Sequence, residues 1–261
     1  MAAKNRTPEQ PEEDAATGLS LLKLLADDTR WKLINDLRLS DRQVSELVTR
    51  LGLSQNLVSY HLNLLRQGGL VQVRRSDADA RVTYYGLDIA ALQAGYRQVG
   101  VSLHLPDIPP DDRLPMVPVV FLCTGNSIRS QMAEGWLRYL SGGRVPVRSA
   151  GVRPTTIYPP AVQVMAEVGI DIGYQQSKHI DTISDIRPGL IVTVCDRARE
   201  ECRPCLDAPV QLHWSIPNPV QLHASPEAQL ASLRTTRDEL RRRVVGLLTL
   251  LPRLAAIYNL P

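Results

Sequence analysis

Apolar positions in the first third of the chain recur at helical spacing. Residues 19–25 form a short apolar run, and Trp31, Leu33, Ile34 and Leu37 make the inner face of a second helix that Asp28 or Thr29 can cap. Val44, Leu47, Val48 and Leu51 follow the i, i+3, i+4, i+7 pattern until Gly52 stops it. Ser54 is placed to cap a further helix with Leu57, Val58, Leu62 and Leu65 inward, ended by Gly68 and Gly69. Residues 70–75 and 81–87 are then β-rich runs split by the polar Ser76-Asp77-Ala78-Asp79-Ala80, a hairpin signal. Two short helices on a tight turn followed by a hairpin predict a winged helix-turn-helix.

The proline-rich stretch at residues 105–118 (LPDIPPDDRLPMVP) interrupts this pattern. Beyond it, residues 119–122 (VVFL) read as a buried strand, residues 123–130 (CTGNSIRS) as a small-residue loop, and QMAEGWLRYL as a helix; residues 190–195 read as a later strand, before a C-terminal helix. The expected organisation is a solvated, acidic tail over 1–16, a mainly α winged helix over 17–105, a linker over 106–117, and an α/β domain over 118–258.

Composition adds exclusions more than identity. The 261 residues carry 44% hydrophobic positions and a net charge of +3, which fits a globular chain and excludes fibrous and wholly disordered classes. No apolar window is long enough for a membrane span, and the first sixteen residues lack the apolar core of a secretory signal, so a cytoplasmic location is expected. All four cysteines, Cys123, Cys195, Cys202 and Cys205, lie in the second half. In a reducing compartment that suggests thiol chemistry or metal binding more than a disulfide framework.

Candidate chemistry sits in both halves. The outward residues of the fourth helix, Gln55, Asn56, Ser59, Tyr60 and His61, can hydrogen-bond base edges or phosphates in a major groove, and Arg74, Arg75 and Arg81 on the wing can reach backbone phosphates. Residues 17–105 hold eleven basic against eight acidic side chains, only weak support for a nucleic-acid partner. In the second half, a strand, a small-residue loop and a helix start gather backbone N–H groups into an oxyanion site at Thr124, Gly125, Asn126, Ser127 and Ile128. There the helix dipole and Arg129 favour the Cys123 thiolate, and Arg129 can hold a tetrahedral oxyanion bidentately.

The first half, from LLKLLADDTRWKLINDL through LSQNLVSYHLNLLRQGGLVQVRR to VTYYGL, resembles the ArsR-type winged-helix repressors. The resemblance implies operator DNA as partner and a homodimer pairing through terminal helices, here including residues 89–103. It departs from the soft-metal-sensing members in having no cysteine within residues 44–51. The string CTGNSIRSQMAEGW resembles the phosphate loop of low-molecular-weight protein tyrosine phosphatases, and most of all their relatives, the thioredoxin-coupled arsenate reductases. The likeness continues through Arg148-Ser149-Ala150-Gly151, IDIGYQQSKHID and His213-Trp214.

This second resemblance implies a four-stranded parallel sheet with helices on both faces, arsenate as substrate, no bound cofactor or metal, and thioredoxin or a similar thiol as external reductant. By resemblance Cys123 is the nucleophile, Arg129 and Ser130 support it, Asn126 orders the loop, and Cys195 and Cys202 relay the oxidation. Three departures stand out. Asn218 occupies the place of a general-acid aspartate, with Asp207 and solvent as possible substitutes; Lys178 stands where some relatives carry an aspartate beside potassium; and Ile128 replaces an extra loop cysteine. Alternatives remain open at this level: Cys205 as resolving thiol in place of Cys202, a zinc site of Cys195, Cys202, Cys205 and His213, a catalytically weakened domain that senses oxyanion, arsenite or redox state, and a tyrosine phosphatase.

Overall fold

The computed structural model describes residues 10–103, 114–183, 187–201, 207–220 and 225–260, with side chains from residue 18 onward. The first unit contains helices α1 (Gln10–Leu25), α2 (Asp28–Leu37), α3 (Val44–Leu51) and α4 (Gln55–Gln67), the hairpin β1 (Val71–Arg75) and β2 (Thr83–Leu87), and α5 (Ile89–Ser102). Helix α1 begins inside the segment expected to be a solvated tail. The sequence QPEEDAA suits a helix start, because proline is tolerated and acidic residues are favoured in a first turn.

Local signals set most of these boundaries. Ser54 caps α4 by accepting from the Leu57 N–H, and Gly52 ends α3 in the left-handed conformation at φ 65°, where a side chain would be strained. Asp27, rather than Asp28 or Thr29, caps α2, accepting from the Arg30 N–H at 2.9 Å. The core is built from Leu33, Ile34, Leu37, Leu47, Val58, Leu62 and Leu65, joined by Leu70, Val71 and Leu87 of the wing. Trp31 is an exception, 56% exposed, since two residues of helix turn it about 200° from Leu33. Leu57 is also partly exposed, because Val58 takes the inward position next to it. Helix α5 packs back against α1.

The second unit is built on β3 (Val119–Cys123), α6 (Arg129–Leu140), β4 (Val147–Gly151), α7 (Pro159–Ala166), β5 (Leu190–Thr193), α8 (Asp196–Glu201), β6 (Val210–His213) and α9 (Pro226–Tyr258). Its four strands are all parallel in the order β4-β3-β5-β6. Alternation along β3 sends Phe121 and Cys123 toward α6 and α9, and Val120 and Leu122 toward Ile180, Ile183 and Ala208 on the other face. Both faces are therefore covered, as parallel sheets require. Among the described residues no helix is long and apolar enough to cross a membrane.

The two units are docked on each other along β6, an edge strand. Asp41 N–H donates to the His213 carbonyl at 2.6 Å, and the Ser40 hydroxyl both accepts from the His213 N–H and donates to its carbonyl. The Ser215 N–H donates to Asp41 Oδ2 at 2.6 Å, and Arg243 pairs with Asp41 Oδ1 at 3.0 Å. Thus the open edge of the sheet is closed by the turn before α3 rather than by another strand.

Candidate functional site

Cys123 ends β3, and the chain turns through Thr124–Ile128 into α6, so the thiol lies at the carboxyl end of the parallel sheet, where open α/β sheets place ligands. The thiol is almost fully buried. Asn126 N–H points at Sγ at 3.1 Å, and Ser130 Oγ lies 2.9 Å from it. Asn126 holds this turn in the left-handed region at φ 44°, a conformation asparagine tolerates better than most residues. Its Oδ1 accepts the Lys178 N–H at 2.7 Å, which fixes the amide orientation, and its Nδ2 donates to Ser130 Oγ and Ser149 Oγ. Since Ser130 receives that hydrogen, its own hydroxyl proton is free to point at the Cys123 sulfur, which stabilises a thiolate.

Two neighbours of this loop carried no clear local signal. Gln131 is buried and donates to both the carbonyl and Oδ1 of Asn126. Gly151, paired with Cys123 across the sheet, leaves room that a Cβ would take: an added carbon would lie 2.6 Å from the Thr124 carbonyl. Asn126→Ala is expected to destabilise the protein by at least about 2 kcal/mol, because two buried hydroxyls and the half-buried Lys178 N–H lose a partner at a strained φ. Urea unfolding checks this, and an unchanged midpoint would show that the network is dispensable.

Cys195 comes to the same loop from β5. Its Sγ lies 3.4 Å from Thr124 Oγ1 and receives the Ala198 N–H of α8 at 3.4 Å. Burial pushes this thiol above its usual range, against the opposing pull of the Arg129 charge and the Thr124 hydroxyl. Cys202 and Cys205 lie outside the described residues. Among the described residues no three metal-ligating side chains come together, and His213 is engaged by Thr193 Oγ1 at 2.9 Å and Asp196 Oδ1 at 3.2 Å. The Lys178 ammonium donates to the Gln176 carbonyl at 2.8 Å, so its backbone N–H, not its charge, holds Asn126.

Arg129 opens α6 and is mostly buried. Its Nη1 donates to the Ile216 carbonyl at 2.7 Å and lies 3.9 Å from Asp77 Oδ2 of the wing. Asn218 is exposed on the same loop as Ile216, and its N–H donates to Asp77 Oδ2 at 2.9 Å. The wing tip therefore rests beside the oxyanion loop, which no local pattern announced.

On α4, Gln55, Asn56, Ser59 and Tyr60 are exposed, Tyr60 at 60%. His61 corrects the expectation. It follows Val58 by three residues, so it turns to the core side, is buried, and lies 3.6 Å from Asp27. Arg74 is a second correction: it points to the other unit, donating to the Ser215 carbonyl at 3.1 Å and pairing with the Asp196 carboxylate and the Ser215 hydroxyl. The attraction between the guanidinium and the buried Asp196 carboxylate is screened less there than in water. Arg75 and Arg81 remain exposed, Arg81 paired with Asp79 at 2.8 Å.

Comparison with known proteins agrees with both halves. Residues 118–256 match the family model described as low molecular weight phosphotyrosine protein phosphatase, and residues 27–73 match bacterial regulatory protein, arsR family. An arsenate reductase of Halalkalibacterium halodurans and one of Bacillus subtilis are each 39% identical over 126 residues, covering 48% of this chain and 91% of theirs. A solved arsenate reductase in the phosphate binding state is 30% identical, covering 52% of this chain and 99% of its own, with a TM-score of 0.45.

Proposed function

Since the chain belongs to the low molecular weight phosphotyrosine protein phosphatase family, here joined to an arsR-family helix-turn-helix, we propose that it is an arsenate reductase fused to a DNA-binding regulator. The observation that carries the reductase reading is the meeting of two thiols at Thr124: Cys123 precedes it in the chain, and Cys195 contacts its hydroxyl. A phosphatase needs one nucleophilic thiol, whereas reducing arsenic(V) to arsenic(III) takes two electrons, which a second thiol supplies.

In this mechanism the loop N–H groups of Thr124, Gly125, Asn126, Ser127 and Ile128 and the Arg129 guanidinium hold arsenate, and the Cys123 thiolate, steadied by Ser130, bonds to arsenic as water leaves. Cys195, as thiolate, then attacks Cys123 Sγ. A sulfur–sulfur bond forms, and the sulfur–arsenic pair departs on arsenic, which leaves as arsenite. Cys202 attacks Cys195, frees Cys123 and closes the disulfide that thioredoxin or a similar thiol reduces. Burial pushes the Cys195 thiol up against the pull of the Arg129 charge and the Thr124 hydroxyl, so its attack requires loss of the thiol proton first.

The winged helix reads DNA through Gln55, Asn56, Ser59 and Tyr60 in the major groove, with Arg75 and Arg81 toward the backbone. A homodimer through the terminal helices fits the apolar side chains left open on α1, on α5 and just past its end, among them Leu19, Leu22, Tyr96, Val101 and Leu103, each at least 47% exposed. The functional test couples arsenate to NADPH oxidation through thioredoxin and thioredoxin reductase. Wild-type protein should turn over steadily and Cys195→Ser should not. Equal rates in the two would remove the relay, and phosphotyrosine hydrolysis without arsenate turnover would favour the phosphatase reading.

A further inference from the structure

The chemistry at Arg129 needs a proton that the loop itself does not supply. When a thiolate displaces an oxygen from a tetrahedral oxyanion, that oxygen leaves well only as water. The amide of Asn218, on the loop facing Arg129, has no acidic proton to give. The carboxylates nearest this face come from elsewhere. Asp196 is fully buried and occupied by Arg74, Ser215, His213 and the Asp77 N–H. Glu200 is engaged by the Ser76 and Tyr84 hydroxyls. Asp77 is different: it is 39% exposed, with Oδ1 on Arg74 at 3.0 Å and Oδ2 on the Asn218 N–H and toward Arg129.

The geometry points to Asp77, on the wing of the DNA-binding half, as the proton donor of the oxyanion site in the other half. The step balances without a further reagent. The Cys123–arsenic bond forms, the bond from arsenic to the leaving oxygen breaks, and that oxygen takes the Asp77 carboxyl proton and leaves as water. Arsenic stays pentavalent, and Asp77 is left as carboxylate. Arg74 and Arg129 flank the ionised group, and the bound oxyanion opposes it from the same side. The wing is held for this task by Arg74 on the Ser215 carbonyl and by the Asp77 N–H on Asp196 at 3.0 Å.

This assignment rests on the reductase reading, and the test separates the two. Steady-state arsenate turnover is measured across pH for full-length wild type, Asp77→Asn, Asp77→Glu and Tyr84→Phe, the last removing a different wing contact to Glu200. Absence of turnover in wild type overturns the reductase reading itself. Given wild-type turnover, Asp77→Asn should lose about 10²-fold or more in kcat with little change in KM, together with the alkaline fall of the pH profile. Asp77→Glu should recover part of the rate and that fall, and Tyr84→Phe should match wild type. Three results overturn the proposal: unchanged kcat in Asp77→Asn, a lower KM with faster turnover, which would make Asp77 a competitor of the oxyanion, or an equal loss in Tyr84→Phe, which would reduce it to docking.

Discussion

Cys123→Ser is expected to lower arsenate turnover about 10⁴-fold or more while leaving the fold and oxyanion affinity nearly intact. The two side chains differ by one atom, and the surroundings of Sγ, an N–H and a hydroxyl, accept an oxygen equally well. What changes is the reaction. A serine hydroxyl is a far weaker nucleophile than a thiolate and has no general base beside it, since Ser130 and Asn126 only donate or share hydrogens here. It also cannot form the sulfur–sulfur bond through which electrons reach arsenic. Phosphate binding by calorimetry alongside the coupled assay checks both halves. Turnover above a few per cent of wild type would move the nucleophile elsewhere.

Asp196→Ala carries the largest expected cost in stability, about 3–5 kcal/mol, as expected when one partner of a buried ion pair is removed. The carboxyl has no solvent exposure and is shared by Arg74, the Ser215 hydroxyl at 2.8 Å, the Asp77 N–H at 3.0 Å and His213 at 3.2 Å. Truncation leaves the partly buried Arg74 without its main partner and loosens the wing on α8, where the Ser76 and Tyr84 contacts to Glu200 remain. Burial alone would raise the Asp196 pKa, but His213, the Asp77 N–H, the Arg74 charge and Ser215 outweigh it and hold the group well below the usual carboxylate range. A depressed carboxylate adds stability that is full above its unfolded value near 4 and is lost as pH falls through the folded value. Wild type should therefore lose stability below about pH 4, with the wing released first. Asp196→Ala should lack that part of the acid dependence. Urea unfolding between pH 2.5 and 7, with limited proteolysis reporting wing release, measures it, and identical acid profiles would show that Asp196 does not hold the wing.

Local rules made much of this molecule legible. The caps at Ser54 and Gly52 and the apolar spacing of α3 and α4 need only neighbours in sequence, and the structure follows them. The Cys123–Arg129 loop was also readable, because a strand, small residues and a helix start leave few ways to arrange the backbone N–H groups. The misreadings share a cause. Trp31 and His61 were assigned by residue type, yet a shift of one or two positions around a helix decides which side faces the core. Arg74 read as a phosphate contact and Asp77 as part of a polar hairpin turn, and nothing singled out Ser40 and Asp41, because their partners lie more than a hundred residues away. No periodicity encodes that an edge strand at His213 will be closed by another domain.

One measurement tests the central claim most directly. Reduced full-length protein is given a single equivalent of arsenate without any external reductant, quenched by alkylation, and mapped by peptide mass spectrometry. The account predicts one arsenite released, Cys123 alkylated as a free thiol, and Cys195 joined to Cys202 in a disulfide. Arsenite released with all four cysteines still free, or a disulfide that excludes Cys195, would contradict it.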